Sequence, residues 1–339
     1  MLDLMTNWAG VRLASPFVVG ASPLTDDLDA LRECIAGGAG AVVMRSLFEE
    51  QILADQLGAH HWVDSRIDTD AEARSFLPES EVFALGPAPY LDRLRKLRAA
   101  LNVPIIASLN GTTPGGWVEL ARDLELAGSA AVELNLYDVA VSLDETSAAV
   151  EARQLSVVQS VVAAVHVPVL VKLSPFYSSL PGFVRGVERA GARAIVVFNR
   201  FYQPDINLET LEVNREIRLS TSAELPLRLH ACALLWAKTG LQLGITGGIH
   251  AGDDAVKAVL AGAQIVQVVS ALLGNGPGRL ARLIDEFRTR LSSMGYRSLD
   301  EARGAMSFER VGDPHAWERV NYLRMLQGWA PQPTTRRTR

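Results

Sequence analysis

"RAGARAIVVFN", residues 189–199, ends a helical pattern on a small Ala-Gly turn and passes at once into an apolar strand. The phrase returns as "AGGAGAVVMRS" (36–46), "LAGSAAVELN" (126–135) and "LAGAQIVQVVS" (260–270). A glycine just past a helix followed by a short β-branched run is the αβ half of a βαβ unit. "LNVPIIASLN" (101–110) and "VHVPVLVKLS" (165–174) write the same junction with Val-Pro. The opening run "PFVVGAS" (16–22) and "LQLGITGG" (241–248) bring the expected strands to eight, separated mostly by helical patterns such as "SVVQSVVAAV" and "DDAVKAVLAG". Alternation of this kind predicts an α/β fold, a TIM (β/α)8 barrel ahead of a doubly wound sheet, which would alternate as well.

Composition bounds the function. The chain has 339 residues, 48% of them hydrophobic, which is enough for a large core and unlike a disordered segment. Residues 1–330 read as a single barrel domain and 331–339, ending in "TTRRTR", as a disordered basic tail. No apolar run reaches membrane-spanning length, and the N-terminal stretch lacks the basic and apolar regions of a leader, so a cytoplasmic protein without a membrane partner is expected. A formal charge of −5 disfavours a nucleic-acid groove. Cys34 and Cys232 have no CxxC neighbour and read as structural, and the six histidines are dispersed apart from His60-His61, so no metal is expected. Long inserts at 47–100 and from 200 to about 225 exceed ordinary connections and predict a lid or substrate cover.

In a barrel, catalytic groups stand where strands end. Those positions hold Ala21-Ser22, Arg45-Ser46, Ser108 to Asn110, Asn135, Lys172, Asn199, Gly247-Gly248 and Ser270. An isolated Asn or Ser there commonly just caps a strand, but a lysine closing the apolar run "VPVLV" must find a partner or give up its proton. Paired glycines after the seventh strand and Ser270-Ala271 after the eighth offer backbone N–H groups for a phosphate.

"PFVVGASPL", "AVELNLYD", "VPVLVKLSPF", "VVFNR" and "TGGIHAGDDAVKAVLAGAQIVQVVSALL" together resemble the strand ends of dihydroorotate dehydrogenases, FMN-dependent barrel enzymes of pyrimidine biosynthesis. The resemblance runs over essentially the whole chain. It implies that Lys172 contacts the flavin near N1 and O2, where charge develops as a hydride arrives at N5. It further implies that Ala21, Ser22, Arg45 and Asn135 lie against the cofactor, and that Gly247, Gly248, Ser270 and Ala271 cup its phosphate. Arg45, Asn135, Asn199 and Arg200 would hold the substrate. Arg45 replaces a lysine usual in the family, keeping the charge with a bulkier, more directional group. The absence of an apolar N-terminal extension resembles the family's soluble class, usually homo-oligomeric and in some members joined by an electron-transfer partner protein.

The loop after the fourth strand departs from that pattern. Where the family places Leu-Ser-Cys-Pro-Asn or its serine variant, this chain has Tyr137, Asp138, Val139 and Ala140, and Ala73 stands where an asparagine is expected. The usual base is therefore replaced. Asp138 is a candidate base and Tyr137 a candidate acid or hydrogen-bond donor, with ordinary loop roles for both as the alternative. Arg200, Tyr202 and Asp205 stand at the expected mouth, where a cation suits a substrate carboxylate. Two other readings stay open: a flavin-free phosphate-binding barrel using Lys172 as a Schiff base for aldolase or isomerase chemistry, and a non-catalytic flavoprotein subunit.

Overall fold

The computed structural model describes residues 2–49, 87–111, 117–200, 203–214 and 218–328. Eight short parallel strands form its centre: β1 (Phe17–Val19), β2 (Ala41–Val43), β3 (Ile105–Asn110), β4 (Val132–Asn135), β5 (Val169–Leu173), β6 (Ala194–Val197), β7 (Gln242–Thr246) and β8 (Ile265–Val268). Each pairs with the next in sequence, and Val266 of β8 pairs with Phe17 of β1, which closes the barrel. The expected TIM barrel is thus the fold. The Ala-Gly turn before β6 behaves as its composition requires, because Gly191 has a φ of 94°, a conformation costly for a residue with a Cβ.

Helices surround the strands: α1 (Leu28–Ala36), α2 (Pro87–Ala100), α3 (Trp117–Leu126), α4 (Ser147–Ala164), α5 (Leu180–Arg189), α6 (Leu225–Leu235) and α7 (Gly252–Ala261). After β8 come α8 (Ser270–Asn275), α9 (Arg279–Ser293), α10 (Leu299–Ala302) and α11 (Pro314–Gln327). The larger hydrophobic core lies between this ring and the strands, where residues such as Phe17, Leu94, Val171, Ile195 and Phe287 are fully buried.

A second apolar cluster fills the barrel itself. Val18, Val43, Ile106, Leu170, Val196 and Ile265 point inward with Trp8 and Leu13. The last two come from an N-terminal hairpin, Thr6–Trp8 paired with Val11–Leu13, that sequence patterning did not anticipate. Its Ala9 N–H donates to the Gln242 side chain at 2.5 Å, and Gln264 donates to the Thr6 hydroxyl at 2.7 Å. Both partners stand at strand beginnings, so the hairpin stoppers the lower end of the barrel. Side chains alternate along a strand. Positions two beyond the inward layer, Ser108, Glu133, Lys172 and Gln267, therefore form the next layer up, towards the strand ends.

The last part of the 47–100 insert is α2, a barrel helix whose Tyr90 hydroxyl donates to the Ser108 carbonyl and accepts from its N–H. After β6, Asp205–Asn207 and Glu212–Asn214 make an exposed antiparallel hairpin. His60, His61, Ala73, Tyr202 and the 331–339 tail lie outside the described residues.

Candidate active site

Lys172 is buried, and its ammonium donates to Glu133 Oε1 and to Gln267 Oε1, both at 3.4 Å. Gln267 Nε2 in turn donates to Glu133 Oε2 at 2.5 Å. Three strands, β4, β5 and β8, thereby converge on one charged trio above the apolar plug. This is the partner that a lysine in a buried strand requires. Glu133 has no exposure at all, and its role was hidden in the sequence because it lies 39 positions from Lys172 within an ordinary strand run.

Asn135 pairs in register with Lys172 and with Asn110, so it caps the layer above the trio. Among the described residues its Oδ1 is buried without a hydrogen-bond partner. Buried polar atoms are seldom left so, and this orphan, next in the ladder to a buried cation, is the kind of position a polar bound ring would satisfy. Ser22 is buried beyond β1, and Ala21 is half-buried against the inner cluster. Arg45 stands at the top of β2, half-exposed, with Nη1 3.2 Å from Asp26 Oδ2. Asn199 follows β6, with its N–H donating to the Leu173 carbonyl at 2.8 Å, and Arg200 beside it is exposed.

The turn after β7 has the form a phosphate cup needs, with φ of 85° at Gly247 and 80° at Gly248. The structure narrows which donors remain for an anion. Asp254 Oδ2 accepts from the N–H groups of His250 and Ala251, and Glu286 Oε2 accepts from that of Gly252. The opening of α7 is thus already capped by carboxylates. Ser220, not recognised from sequence, joins the two sides of the turn: its hydroxyl accepts from Gly248 N–H at 3.3 Å and its own N–H donates to Ser270 Oγ at 3.0 Å. His250 Nε2 lies 3.3 Å from the same hydroxyl. Ala271 is buried behind Ser270.

The loop after β4 carries Tyr137 and Asp138. Asp138 Oδ2 accepts from Arg153 Nη2 at 2.6 Å and from its Nε at 3.1 Å, while Arg153 Nη1 also donates to Glu145. The carboxylate therefore faces a cation in this conformation. Asp138, Gln154, Ser174 and Tyr177 line a groove of about 450 Å³ beside the ends of β4 and β5. Tyr177 donates to Gln154 at 3.0 Å, and burial, then the charges of Glu151 and Asp138, push its phenol upward, which keeps it neutral.

Cys34 and Cys232 are buried free thiols, and burial pushes that of Cys34 up to about 12, so neither is a nucleophile at neutral pH. Among the described residues, no group of three or more His, Cys, Asp or Glu side chains could hold a metal ion, and no helix is long and apolar enough to cross a membrane.

Residues 80–291 match the family model described as dihydroorotate dehydrogenase. The chain is 32% identical over 279 residues to the dihydroorotate dehydrogenase B (NAD(+)) catalytic subunit of Methanosarcina acetivorans, covering 79% of this chain and 85% of that protein. The like-named subunit of Methanosarcina mazei is 31% identical over 277 residues, 79% of this chain and 84% of its own. That of Thermoplasma acidophilum is 26% identical over 316 residues, 90% of this chain and 99% of its own.

Proposed function

The chain belongs to the dihydroorotate dehydrogenase family, and from that premise we propose that it is an FMN-dependent oxidoreductase acting on the CH–CH bond of dihydroorotate or a related dihydropyrimidine-like molecule. The observation that carries the proposal is the buried Lys172–Glu133–Gln267 trio beneath the orphaned Asn135 Oδ1. Bound FMN would supply the hydride acceptor. Lys172 and Asn135 would hold its ring, Ala21, Ser22 and Arg45 would flank it, and Gly247, Gly248, Ser270 and Ala271 would hold its phosphate.

The chain's own residues supply the rest. Lys172 is fixed from two sides, so its positive charge meets developing negative charge without reorganisation. Asn135, Asn199, Arg200 and Arg45 would orient the substrate through its amide and carboxylate groups. Asp138 is our candidate for removing the substrate proton, which requires its carboxylate to part from Arg153 as substrate enters, and Tyr137 would donate a hydrogen bond. The hydrogen bonds that Lys172 gives to Glu133 and Gln267 commit its nitrogen as a donor, which argues against the Schiff-base alternative.

The relatives named as catalytic subunits support an electron-transfer partner protein, and our reading is of a homo-oligomeric cytoplasmic enzyme of pyrimidine biosynthesis. The test is anaerobic addition of dihydroorotate to the purified protein. Bleaching of oxidised-flavin absorbance is expected, and a flavin spectrum that dihydroorotate leaves unchanged would remove the named substrate.

A further inference from the structure

Arg228, at the end of the first turn of α6, is 7% exposed. Its Nε donates to the Thr246 carbonyl at 2.5 Å and its Nη1 to the Glu224 carbonyl at 2.7 Å. Both acceptors are neutral, and among the described residues no carboxylate lies within ion-pair distance of the guanidinium. Burial works most strongly against its charge, while nearby Glu224 favours the charge and Arg200 opposes it. A guanidinium sunk in the fold whose hydrogen bonds, among the described residues, go to neutral carbonyls is costly, and such charges are retained where something anionic completes them.

Its location indicates what does. A Cβ placed on Gly247 would stand 2.9 Å from Arg228 Nη2 and 3.0 Å from its Nε, so the guanidinium lies directly against the turn that forms one side of the cup. The neighbouring donors are neutral, and the opening of α7 is capped by Asp254 and Glu286. Arg279, which donates to the His250 carbonyl, is paired with Glu286, and Arg200, whose charge reaches Arg228, is exposed. Among the described residues, Arg228 is the buried cation that stands against the N–H and O–H groups of the cup.

We infer that Arg228 is a binding residue for a phosphate monoester seated at the Gly247–Gly248 turn, supplying the fixed positive charge that the turn's backbone donors do not. The inference rests on the FMN reading for the identity of the ester, but the anion site stands on its own geometry. A phosphate monoester carries nearly two negative charges at neutral pH, and one cation a few ångströms away in a partly dry site changes affinity on the order of 100-fold.

The experiment compares FMN with riboflavin, which lacks the phosphate, by flavin fluorescence quenching on apoprotein of the full chain, wild type against R228Q and R228K. Circular dichroism establishes that each variant is folded. R228Q is expected to weaken FMN by on the order of 100-fold, leave riboflavin unchanged, and abolish thermal stabilisation by inorganic phosphate, while R228K keeps most of the preference for FMN. Equal weakening of FMN and riboflavin would make Arg228 a tie between α6 and β7 and overturn the inference. So would FMN affinity unchanged in R228Q alongside weakened orotate binding, which would reassign the cation to a substrate carboxylate. If neither flavin binds wild type yet phosphate stabilises it and R228Q abolishes that effect, the FMN reading fails and Arg228 stands as an anion anchor. Loss of all three would overturn both.

Discussion

At the scale of single residues, the site is built on a buried ion pair whose two members cannot be separated cheaply. Glu133 and Lys172 are both sealed from water, and removing one partner leaves a charge with no solvent to receive it, a loss of about 3–5 kcal/mol in comparable pairs. Glu133→Gln and Lys172→Met should each destabilise the protein on that scale, while the double variant should lose clearly less than the sum. Denaturant unfolding of all four species measures this; strictly additive losses would mean that the two groups do not act as a pair. Asp138 makes a different prediction. If it takes the substrate proton, Asp138→Asn should lower the rate of flavin reduction by roughly 10²–10⁴-fold, with FMN content unchanged. A variant that reduces as fast as wild type would return Asp138 to the ordinary role of anchoring Arg153.

The elements were legible to the extent that their signals are local. Ala-Gly turns before β-branched runs located the strands, because a left-handed helix terminus and a doubly buried strand each need a particular residue type at a particular position. Signals that depend on distant partners were not legible. The Thr6–Trp8 and Val11–Leu13 hairpin is too short to show a pattern, and Trp8 acquires its meaning only from the barrel it stoppers. Arg228 and Ser220 carry no sequence signal because they approach the β7 turn from α6 and the loop before it, not from a strand end. The same kind of cross-element tie gives an acid-stability prediction for the α7–α9 contact. Burial opposes the charge of Glu286, but Arg279 and the Gly252 N–H hydrogen-bond its ionised form and hold its carboxyl below the ordinary 4.5. A carboxylate depressed in the folded state stabilises above the unfolded value, and that contribution is lost as pH falls through the folded one. Glu286→Gln should therefore cost roughly 1 kcal/mol at pH 7, a surface-scale effect for a partly exposed group, and less at pH 3. Thermal melts at the two pH values test this, and an equal loss at both would contradict it.

For the whole molecule, fold and family agree, since one closed barrel brings the charged trio, the orphaned Asn135 and the β7 turn to the same end. Strand-end residues were readable from sequence because the barrel itself dictates where strands end. What each now touches was not readable: the sequence does not reveal that Asp138 faces Arg153, or that carboxylates already cap α7. The altered loop after β4 is where family membership stops specifying chemistry, so turnover of the substrate is what must be measured. The most direct measurement is the visible spectrum of the purified protein under anaerobic titration with dihydroorotate. The account predicts oxidised-flavin bands that disappear in proportion to substrate added. A protein that carries flavin whose bands dihydroorotate leaves untouched would contradict it.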